Sequence, residues 1–380
     1  MTSILSTYRL DTTGSSIVLD KLHGNNIRSK LATVIQSKNQ TFGITEHSDH
    51  RLTSEGQQTV ILLTYMRSGS SFTGQILQAA PSAFYWFEPM HQLLNRFTTR
   101  KPIQFLNGDK RDFLSKENVT SLTTTSILSC KLSELPLDVL TDGFLNKGNE
   151  KTSHQLMSCL ASFRRISSEP GMALRRCLPD YEMVCNNSKH VVIKTIRMSM
   201  SSMERLLVNF PRLKVIHLMR DPRGTVGSQK RYGELRKCCN ETESVRMFCS
   251  TVLRDVIDRE DLQRRFPNRI MSVFYEDIAE HPIRSSKELY SFLGMNYTSE
   301  SEKEILHMTS SGSSQKNCGM LCIFRPNSSK EAYEWRHEIS INFVKMVDKV
   351  CVDLYKKLGY NTIPNKKILH DLQYSLRNNN

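Results

Sequence analysis

Five short runs of apolar and β-branched residues stand out along the chain, at positions 59–66, 83–87, 190–196, 213–219 and 270–275. Each run is almost continuously apolar instead of alternating with polar residues, which predicts strands that are buried on both faces. Strands of this kind occur in parallel sheets, whose crossover connections place helices on either side. The pattern therefore predicts an α/β fold with a central parallel sheet flanked by helices.

Stretches with a helical apolar repeat lie between and after these runs, and helices are predicted at 70–80, 199–210, 241–266 and 331–358. The last is expected to end at Gly359, because glycine commonly follows a helix C-terminus. Residues 98–190 are charged and serine-rich with few clear elements, so they are interpreted as an insertion of loops and helices.

Three segments are expected. Residues 1–57 are polar and weakly periodic, which indicates a stem or disordered lead-in. A folded domain spans 58–365, and 366–380 form a C-terminal tail. The N-terminus has no uninterrupted apolar run of about 18 residues, so neither a signal peptide nor a membrane anchor is recognised.

Composition favours an anionic ligand. Lysine and arginine number 52 against 38 acidic residues, a formal net charge of +14. This balance suits phosphates, sulfated polymers, nucleic acid or an acidic membrane surface. Nucleic acid is the weakest of these, because the basic residues are scattered and no stacking aromatics are interleaved with them.

The ten cysteines include no Cys-x-x-Cys pair, which argues against a zinc ribbon. Six Asn-x-Ser/Thr glycosylation tripeptides and an even cysteine count favour an oxidising secretory compartment, although a cytosolic protein with free thiols stays open. Disulfides are expected among one group of cysteines, with no pairing assigned: Cys238, Cys239, Cys249, Cys318, Cys322 and Cys351.

The first chemical motif is a turn, "RSGSS" at 67–71, between the first predicted strand and a helix. A helix N-terminus binds anions through its unpaired N–H groups, and Arg67 adds a fork that matches phosphate or sulfate. The Gly-x-x-x-x-Gly-Lys-Ser/Thr pattern of nucleotide triphosphatases is absent, which argues against a P-loop kinase. An ordinary Ser/Gly turn that caps a helix is the alternative.

The second motif is "RDPR" at 220–223, which follows another predicted strand. If a helix begins near Pro222, Ser228 lies in its second turn, where Arg220 and Ser228 could converge on one phosphate. A salt-bridged strand–helix corner is the alternative. The two motifs together favour one ligand with two separated anionic groups at the carboxyl edge of the sheet.

These motifs resemble those of the Golgi carbohydrate sulfotransferases that sulfate the 6-hydroxyl of galactose, N-acetylglucosamine or N-acetylgalactosamine. The resemblance extends from about 59 to 360 in matching order and spacing, through "RSGSSF" (67–72), "FEP" (87–89), "VIKTIR" (192–197), "RDPR" with Ser228, "FYEDIAEHP" (274–282), "WR" (335–336) and "LGY" (358–360). It implies the P-loop-like sulfotransferase fold.

The resemblance also implies the donor cosubstrate, 3′-phosphoadenylyl sulfate, with no metal required. Arg220 and Ser228 would hold its 3′-phosphate. Its 5′-phosphosulfate would be cradled by Arg67, Ser68, Gly69, Ser70, Ser71, Phe72 and Thr73.

Glu88 is the candidate general base, since it follows an apolar strand next to the turn and the resemblance points to it. Lys194 ends another strand and is interpreted as contacting the sulfuryl group or its bridging oxygen. The alternatives are an ion-paired carboxylate at Glu88 and a lysine paired with an acid. His91 is the second candidate base, and Arg197 is a candidate for binding donor or acceptor.

The expected partners are a glycan or glycosaminoglycan acceptor, the Golgi membrane through an anchor absent from this chain, and a second copy in a homodimer. Nucleic acid is not expected. The expected location is the Golgi lumen. A catalytically inactive glycan- or nucleotide-binding protein of the same fold is the alternative function. The choice of sugar is expected to depend on the loops of 98–190.

Overall fold

The computed structural model describes residues 56–145, 150–164, 170–235, 239–309, 324 and 326–378. The expected stem at 1–57 lies outside the described residues except for its last two positions. The strands are β1 (Gln58–Leu63), β2 (Ala83–Phe87), β3 (Ile103–Gln104), β4 (Lys110–Arg111), β5 (His190–Thr195), β6 (Lys214–Met219) and β7 (Ile270–Phe274).

Five of these strands form one parallel sheet in the order β2-β5-β1-β6-β7, which confirms the predicted α/β class. The central strand β1 pairs with β5 on one side and with β6 on the other, so the strand order reverses at β1. A parallel sheet places all its carboxyl ends on one edge, and a ligand cleft is expected where the strand order reverses. Strands β3 and β4 form a separate antiparallel hairpin.

Helices cover both faces of the sheet, whose strand residues are buried throughout most of their length. Short 3-10 turns occur at Leu132–Glu134 and Gly143–Leu145. The α-helices are α1 (Ser70–Gln78), α2 (His91–Thr98), α3 (Lys116–Leu128), α4 (Leu137–Leu140), α5 (Glu150–Arg164), α6 (Pro170–Asn186), α7 (Met203–Asn209), α8 (Pro222–Arg231), α9 (Glu241–Arg265), α10 (Tyr275–Glu280), α11 (Pro282–Leu293), α12 (Ser299–Thr309), α13 (Ser328–Tyr333), α14 (Trp335–Glu338), α15 (Ile341–Val350), α16 (Val352–Leu358) and α17 (Lys366–His370).

The prediction of a single long helix at 331–358 is wrong, because this stretch holds the second half of α13 together with α14, α15 and α16. Ile339 adopts extended backbone, and the Ser340 hydroxyl caps α15 by accepting from the N–H of Phe343. The chain changes direction again at Cys351, which is joined to Cys249 of α9. The predicted stop at Gly359 is confirmed by its left-handed backbone.

The segment predicted as a C-terminal tail is folded onto the domain as far as it is described. The buried Arg336 donates hydrogen bonds to the carbonyls of Ile368 and Leu369, both at 2.8 Å. Arg377 forms a two-pronged ion pair with Asp277, with both distances 2.8 Å. The domain boundary expected at 365 is therefore too early.

Three disulfides join described cysteines, and only Cys249–Cys351 falls within the group expected from the sequence. The other two, Cys130–Cys185 and Cys159–Cys177, tie the insertion together around α5 and α6. Cys238, Cys318 and Cys322 lie outside the described residues. Among the described helices, none is long and apolar enough to cross a membrane.

Candidate active site

The carboxyl edge of the sheet collects the charged side chains that the sequence singled out. Arg67 follows β1, Glu88 follows β2, Lys194 lies near the end of β5 and Arg220 follows β6. Since β1 lies between β5 and β6, the turn at Arg67 is flanked by the ends of both neighbours. The topology thus brings these four residues to one edge, although they are spread over more than 150 positions.

The turn after β1 depends on left-handed backbone at two positions. Gly69 has φ of 85°, and a Cβ there would lie 2.0 Å from Cδ2 of Tyr275. Arg67, which is not a glycine, has φ of 66°, an unfavourable value that occurs at functional turns. The Ser68 hydroxyl donates to the Tyr65 carbonyl at 2.6 Å and closes the turn.

Helix α1 begins directly after Gly69, and no side chain caps its N-terminus. The first N–H groups of a helix have no partner within the helix and carry a partial positive charge. No acidic residue lies in the first turn of α1. This end of α1 therefore has the properties of an anion site.

The Arg67 side chain reaches across to α8. Its Nε donates to the hydroxyl of Ser228 at 3.0 Å, and its guanidinium lies 4.1 Å from the ring centroid of Tyr232. Glu234 is also near, with 3.9 Å between its Oε2 and the Arg67 Nε. The start of α8 at Pro222 is confirmed, and Ser228 lies in its second turn.

Arg220 contacts the same turn. Its guanidinium donates to the carbonyl of Arg67 at 3.0 Å and lies 4.8 Å from the ring centroid of Tyr275. Its Nε is 4.0 Å from the buried carboxylate of Glu276. Arg220 thus supports the strained residue of the turn, and Arg67 is the arginine that contacts Ser228.

The carboxyl group of Glu276 is held behind Arg220 at the start of α10. It accepts a hydrogen bond at 3.0 Å from the N–H of Asp221. Burial raises the pKa of Glu276 to about 7, and Asp221 adds to the rise while Arg220 opposes it. These contacts give Glu276 a structural role behind the turn.

Asp221 and Arg223 form the salt-bridged strand–helix corner that the sequence left open as an alternative. The guanidinium of Arg223 is buried, and its Nε and Nη2 donate to the two oxygens of Asp221 at 2.9 and 2.7 Å. Asp348 of α15 lies 3.4 Å from Nη1 of Arg223. This part of "RDPR" therefore connects α8 to the C-terminal helices.

Glu88 lies at the centre of a second cluster. Its Oε1 accepts from Lys194 Nζ at 2.7 Å and from the N–H of Ile196 at 3.0 Å, and its Oε2 accepts from Arg197. Glu88 is 1% exposed and has φ of 50°, the left-handed region again. The two residues predicted to be catalytic are ion-paired with each other.

Lys194 is buried on β5. Burial lowers its pKa, and the adjacent Glu88 opposes this effect. The Lys194 ammonium also lies 4.4 Å from the ring centroid of Phe87. A buried ammonium with one carboxylate partner is well suited to attract negative charge that develops nearby.

His91, the second candidate base, is paired with a carboxylate that the sequence did not single out. Its Nδ1 lies 3.2 Å from Oδ1 of Asp142, which is buried. Asp142 lies 51 positions away in the insertion, where no motif marked it. A pairing over that distance has no local sequence signal.

A buried polar network adjoins the Arg67 turn through Tyr65, and it was not predicted from the sequence. The Tyr65 hydroxyl lies 2.8 Å from Nε2 of His217 and donates to Asp255 at 2.9 Å. Asp255 also accepts from the N–H of Met200 at 2.8 Å. Burial lowers the pKa of His217 to about 3, so its imidazole is neutral at physiological pH. The network joins the Arg67 turn to α9 and to the segment after β5.

A metal-dependent site has no ligand set in the described part of the chain. No three histidine, cysteine or acidic side chains are grouped there so that they could hold an ion. At the carboxyl edge of the parallel sheet, the described residues place the uncapped start of α1 after the central strand and the Glu88–Lys194 ion pair beside it.

A family model named "Sulfotransferase domain" matches residues 57–359, and the chain belongs to that family. Carbohydrate sulfotransferase 1 of Danio rerio is 27% identical over 344 residues, covering 83% of this chain and 81% of the relative. The Homo sapiens protein of that name is 27% identical, with 83% and 82% covered. Carbohydrate sulfotransferase 3 of Mus musculus is 24% identical, with 94% and 79% covered.

A solved mouse sulfotransferase, SULT7A1 complexed with PAP, aligns with 80% of this chain and 86% of its own, at 11% identity and a TM-score of 0.41. A similarity of this size says nothing about the ligand of the present chain.

Proposed function

We propose that this sulfotransferase moves a sulfuryl group from 3′-phosphoadenylyl sulfate to the 6-hydroxyl of a sugar in a glycan or glycosaminoglycan. The observation that carries the proposal is the carboxyl edge, where the uncapped α1 and the Arg67 turn lie beside the Glu88–Lys194 pair. The relatives' names support a carbohydrate acceptor, and the net charge of +14 suits an anionic polymer.

The two anionic ends of the donor are bound by different groups of residues. The 5′-phosphosulfate lies on the segment 67–73, where Gly69 and the serines allow close approach of backbone N–H groups. The 3′-phosphate is bound by Arg220 and Ser228. Because Arg67 contacts Ser228 in this structure, donor binding replaces that contact with bonds to the donor.

The transfer is an in-line displacement at sulfur, with demands similar to those of phosphoryl transfer. The acceptor oxygen forms a bond to sulfur while the bond from sulfur to the 5′-phosphate oxygen breaks. The hydroxyl proton goes to Glu88. Lys194 donates to the oxygen that gains charge on the departing phosphate, which requires it to leave Glu88.

The protein is proposed to work in the Golgi lumen. Three disulfides among the described cysteines are typical of an oxidising compartment. Six Asn-x-Ser/Thr tripeptides are compatible with passage through the secretory pathway. Attachment to the Golgi membrane and assembly into a homodimer remain parts of the same proposal.

The test is transfer of ³⁵S from labelled donor to a panel of desulfated glycans, with Glu88→Gln compared with the wild type. Loss of a general base lowers the rate about 10²–10⁴-fold, while binding of the desulfated donor product persists. Glu204→Gln is the control, since Glu204 is an exposed carboxylate that pairs with Arg265. If the wild type binds the donor product and labels no glycan, the chain is a binding protein and the proposed reaction is wrong.

A further inference from the structure

We infer that His91, Asp142 and Phe144, named the Asp142 cluster, form the subsite that seats the acceptor sugar. The inference rests on the proposed function and identifies the residues that recognise its second substrate. None of the three carries a fixed positive charge, so the ligand class is an uncharged pyranose ring with a free hydroxyl. Three observations support it: hydrogen bonds fix the Asp142 carboxylate, this carboxylate orients the His91 ring, and the cluster lies next to Glu88.

The Asp142 carboxylate is buried and fully used. Its Oδ1 lies 3.2 Å from His91 Nδ1 and accepts from the N–H of Phe144 at 2.9 Å. Its Oδ2 accepts from the N–H of Gln92 at 2.6 Å. One buried carboxylate thus fixes two ring-bearing residues from separate segments, the start of α2 and the 3-10 turn Gly143–Leu145.

This contact also determines how a neutral His91 is oriented. A carboxylate accepts the proton on Nδ1, so Nε2 carries the lone pair. No residue in the described part of the chain forms a hydrogen bond with Nε2, and the His91 side chain is 35% exposed. Nε2 can therefore accept a hydrogen bond from a hydroxyl of a bound sugar.

The second ring of the cluster provides an apolar surface. The rings of His91 and Phe144 lie 4.2 Å apart between centroids, at an angle of 39°. Phe144 is half-buried, and its ring meets the ring of Phe87 edge-on at 5.5 Å. Partly exposed ring surfaces next to a polar nitrogen match the C–H face and the hydroxyls of a pyranose.

The cluster is adjacent to the proposed reaction centre. The N–H of His91 donates to the carbonyl of Glu88 at 3.1 Å. Phe87, which packs against Phe144, also lies 4.4 Å from the Lys194 ammonium. A sugar bound to this cluster would therefore lie next to Glu88, which takes the proton, and close to Lys194, which donates to the leaving group.

The variants His91→Phe and Phe144→Leu remove the nitrogen and the second ring separately. His91→Phe keeps a flat ring against Phe144. The matched controls are His337→Phe and Phe113→Leu, which alter an exposed histidine and a half-buried phenylalanine elsewhere. Two quantities are measured for each protein: the affinity for unsulfated oligosaccharides of galactose, N-acetylglucosamine or N-acetylgalactosamine with donor product present, and the KM and kcat of sulfuryl transfer.

We expect His91→Phe to raise the acceptor KM and Kd about tenfold, the effect of one lost hydrogen bond, with affinity for donor product unchanged. Phe144→Leu should act in the same direction, and the controls should match the wild type. If either cluster variant loses thermal stability while acceptor KM and Kd stay unchanged, the cluster is only a structural contact and the inference is wrong.

The two measurements separate this inference from the proposed function. If the wild type binds an oligosaccharide but transfers nothing, the proposed reaction fails, and weakened binding in His91→Phe still supports the subsite. If the wild type transfers sulfate and His91→Phe has the same acceptor KM, the subsite fails and the reaction stands. If the wild type neither binds nor sulfates any sugar, both are overturned.

Discussion

Lys194 donates from Nζ to Oε1 of Glu88 at 2.7 Å, and both side chains are buried. The residues lie 106 positions apart on β5 and just after β2, which pair in parallel. For each residue the sequence left an ion-paired alternative open, and those two alternatives turn out to be one contact. The pair holds both proposed catalytic groups at one place on the carboxyl edge of the sheet.

The first prediction concerns the energy of this pair. Lys194→Met should lower the free energy of unfolding by about 3–5 kcal/mol, since it removes one member of a buried ion pair. The double variant Glu88→Gln with Lys194→Met should be less unstable than the two separate effects added together. Urea denaturation of the four proteins measures the coupling, and strict additivity would contradict the interaction.

The second prediction concerns the turn at Gly69. Gly69→Ala should abolish binding of donor product, because its Cβ would overlap the Tyr275 ring and its φ of 85° disfavours alanine. Gly294→Ala is the matched control, since Gly294, after the end of α11, has φ of 69° with no atom within 4 Å of an added Cβ. Backbone strain should lower the folding stability of that control by about 1–2 kcal/mol, and its affinity for donor product should stay unchanged. Calorimetric titration with donor product decides, and equal affinities in both variants would refute the role of the turn.

The third prediction concerns Arg67 and Ser228. Ser228→Ala should weaken donor product binding about tenfold or more, the size of one hydrogen bond to a charged group. Arg67→Lys should weaken it too, because lysine keeps the charge but loses the planar fork. Ser291→Ala, an exposed serine on α11, serves as the control. Titration at fixed salt measures each constant, and an unchanged value in Ser228→Ala would remove this residue from the anion site.

The fourth prediction concerns pH. Burial raises the pKa of Glu276 to about 7 from an ordinary value of 4.5. Between those values the folded state holds a proton that the unfolded state has released, so this group's contribution to stability decreases as pH rises through that window. Above pH 7 the contribution is fully lost.

Glu276→Gln removes this dependence. Its stability relative to the wild type should therefore increase as the pH rises from about 4.5 to 7. The wild type must be compared at each pH because His217 has the opposite effect. Its pKa is lowered to about 3, so its contribution to folding stability is lost as the pH falls below about 6.5. Thermal melts across this range test the prediction, and a constant difference would show that Glu276 is ionised throughout.

The strands and both basic turns could be predicted because their signals are local. A continuous apolar run such as 190–196 is recognisable without its neighbours, and it ends within one residue of β5. Arg67 and Gly69 stand between a strand pattern and a helix pattern, which is enough to predict an anion site. Pro222 similarly predicts where α8 begins.

The breaks after α13, α14 and α15 could not be predicted in the same way. Their residues keep a helical apolar repeat, yet the chain turns at Ser340 and Cys351, where a cap and a disulfide hold it. The expected tail was misjudged for a related reason. Its polar composition hides Leu369 and Leu376, which are buried against other helices.

The sequence by itself determined the class of fold, the strands and the two basic turns, since apolar periodicity and turn chemistry act between residues close in the chain. Only the tertiary structure decided which partners the charged groups take. Sheet order joined Lys194 to Glu88 and brought Arg67 to Ser228, and packing of the insertion joined His91 to Asp142, contacts that span from 51 to 161 positions. Partner choice at that range depends on the packing of whole strands and helices, and no local pattern encodes it.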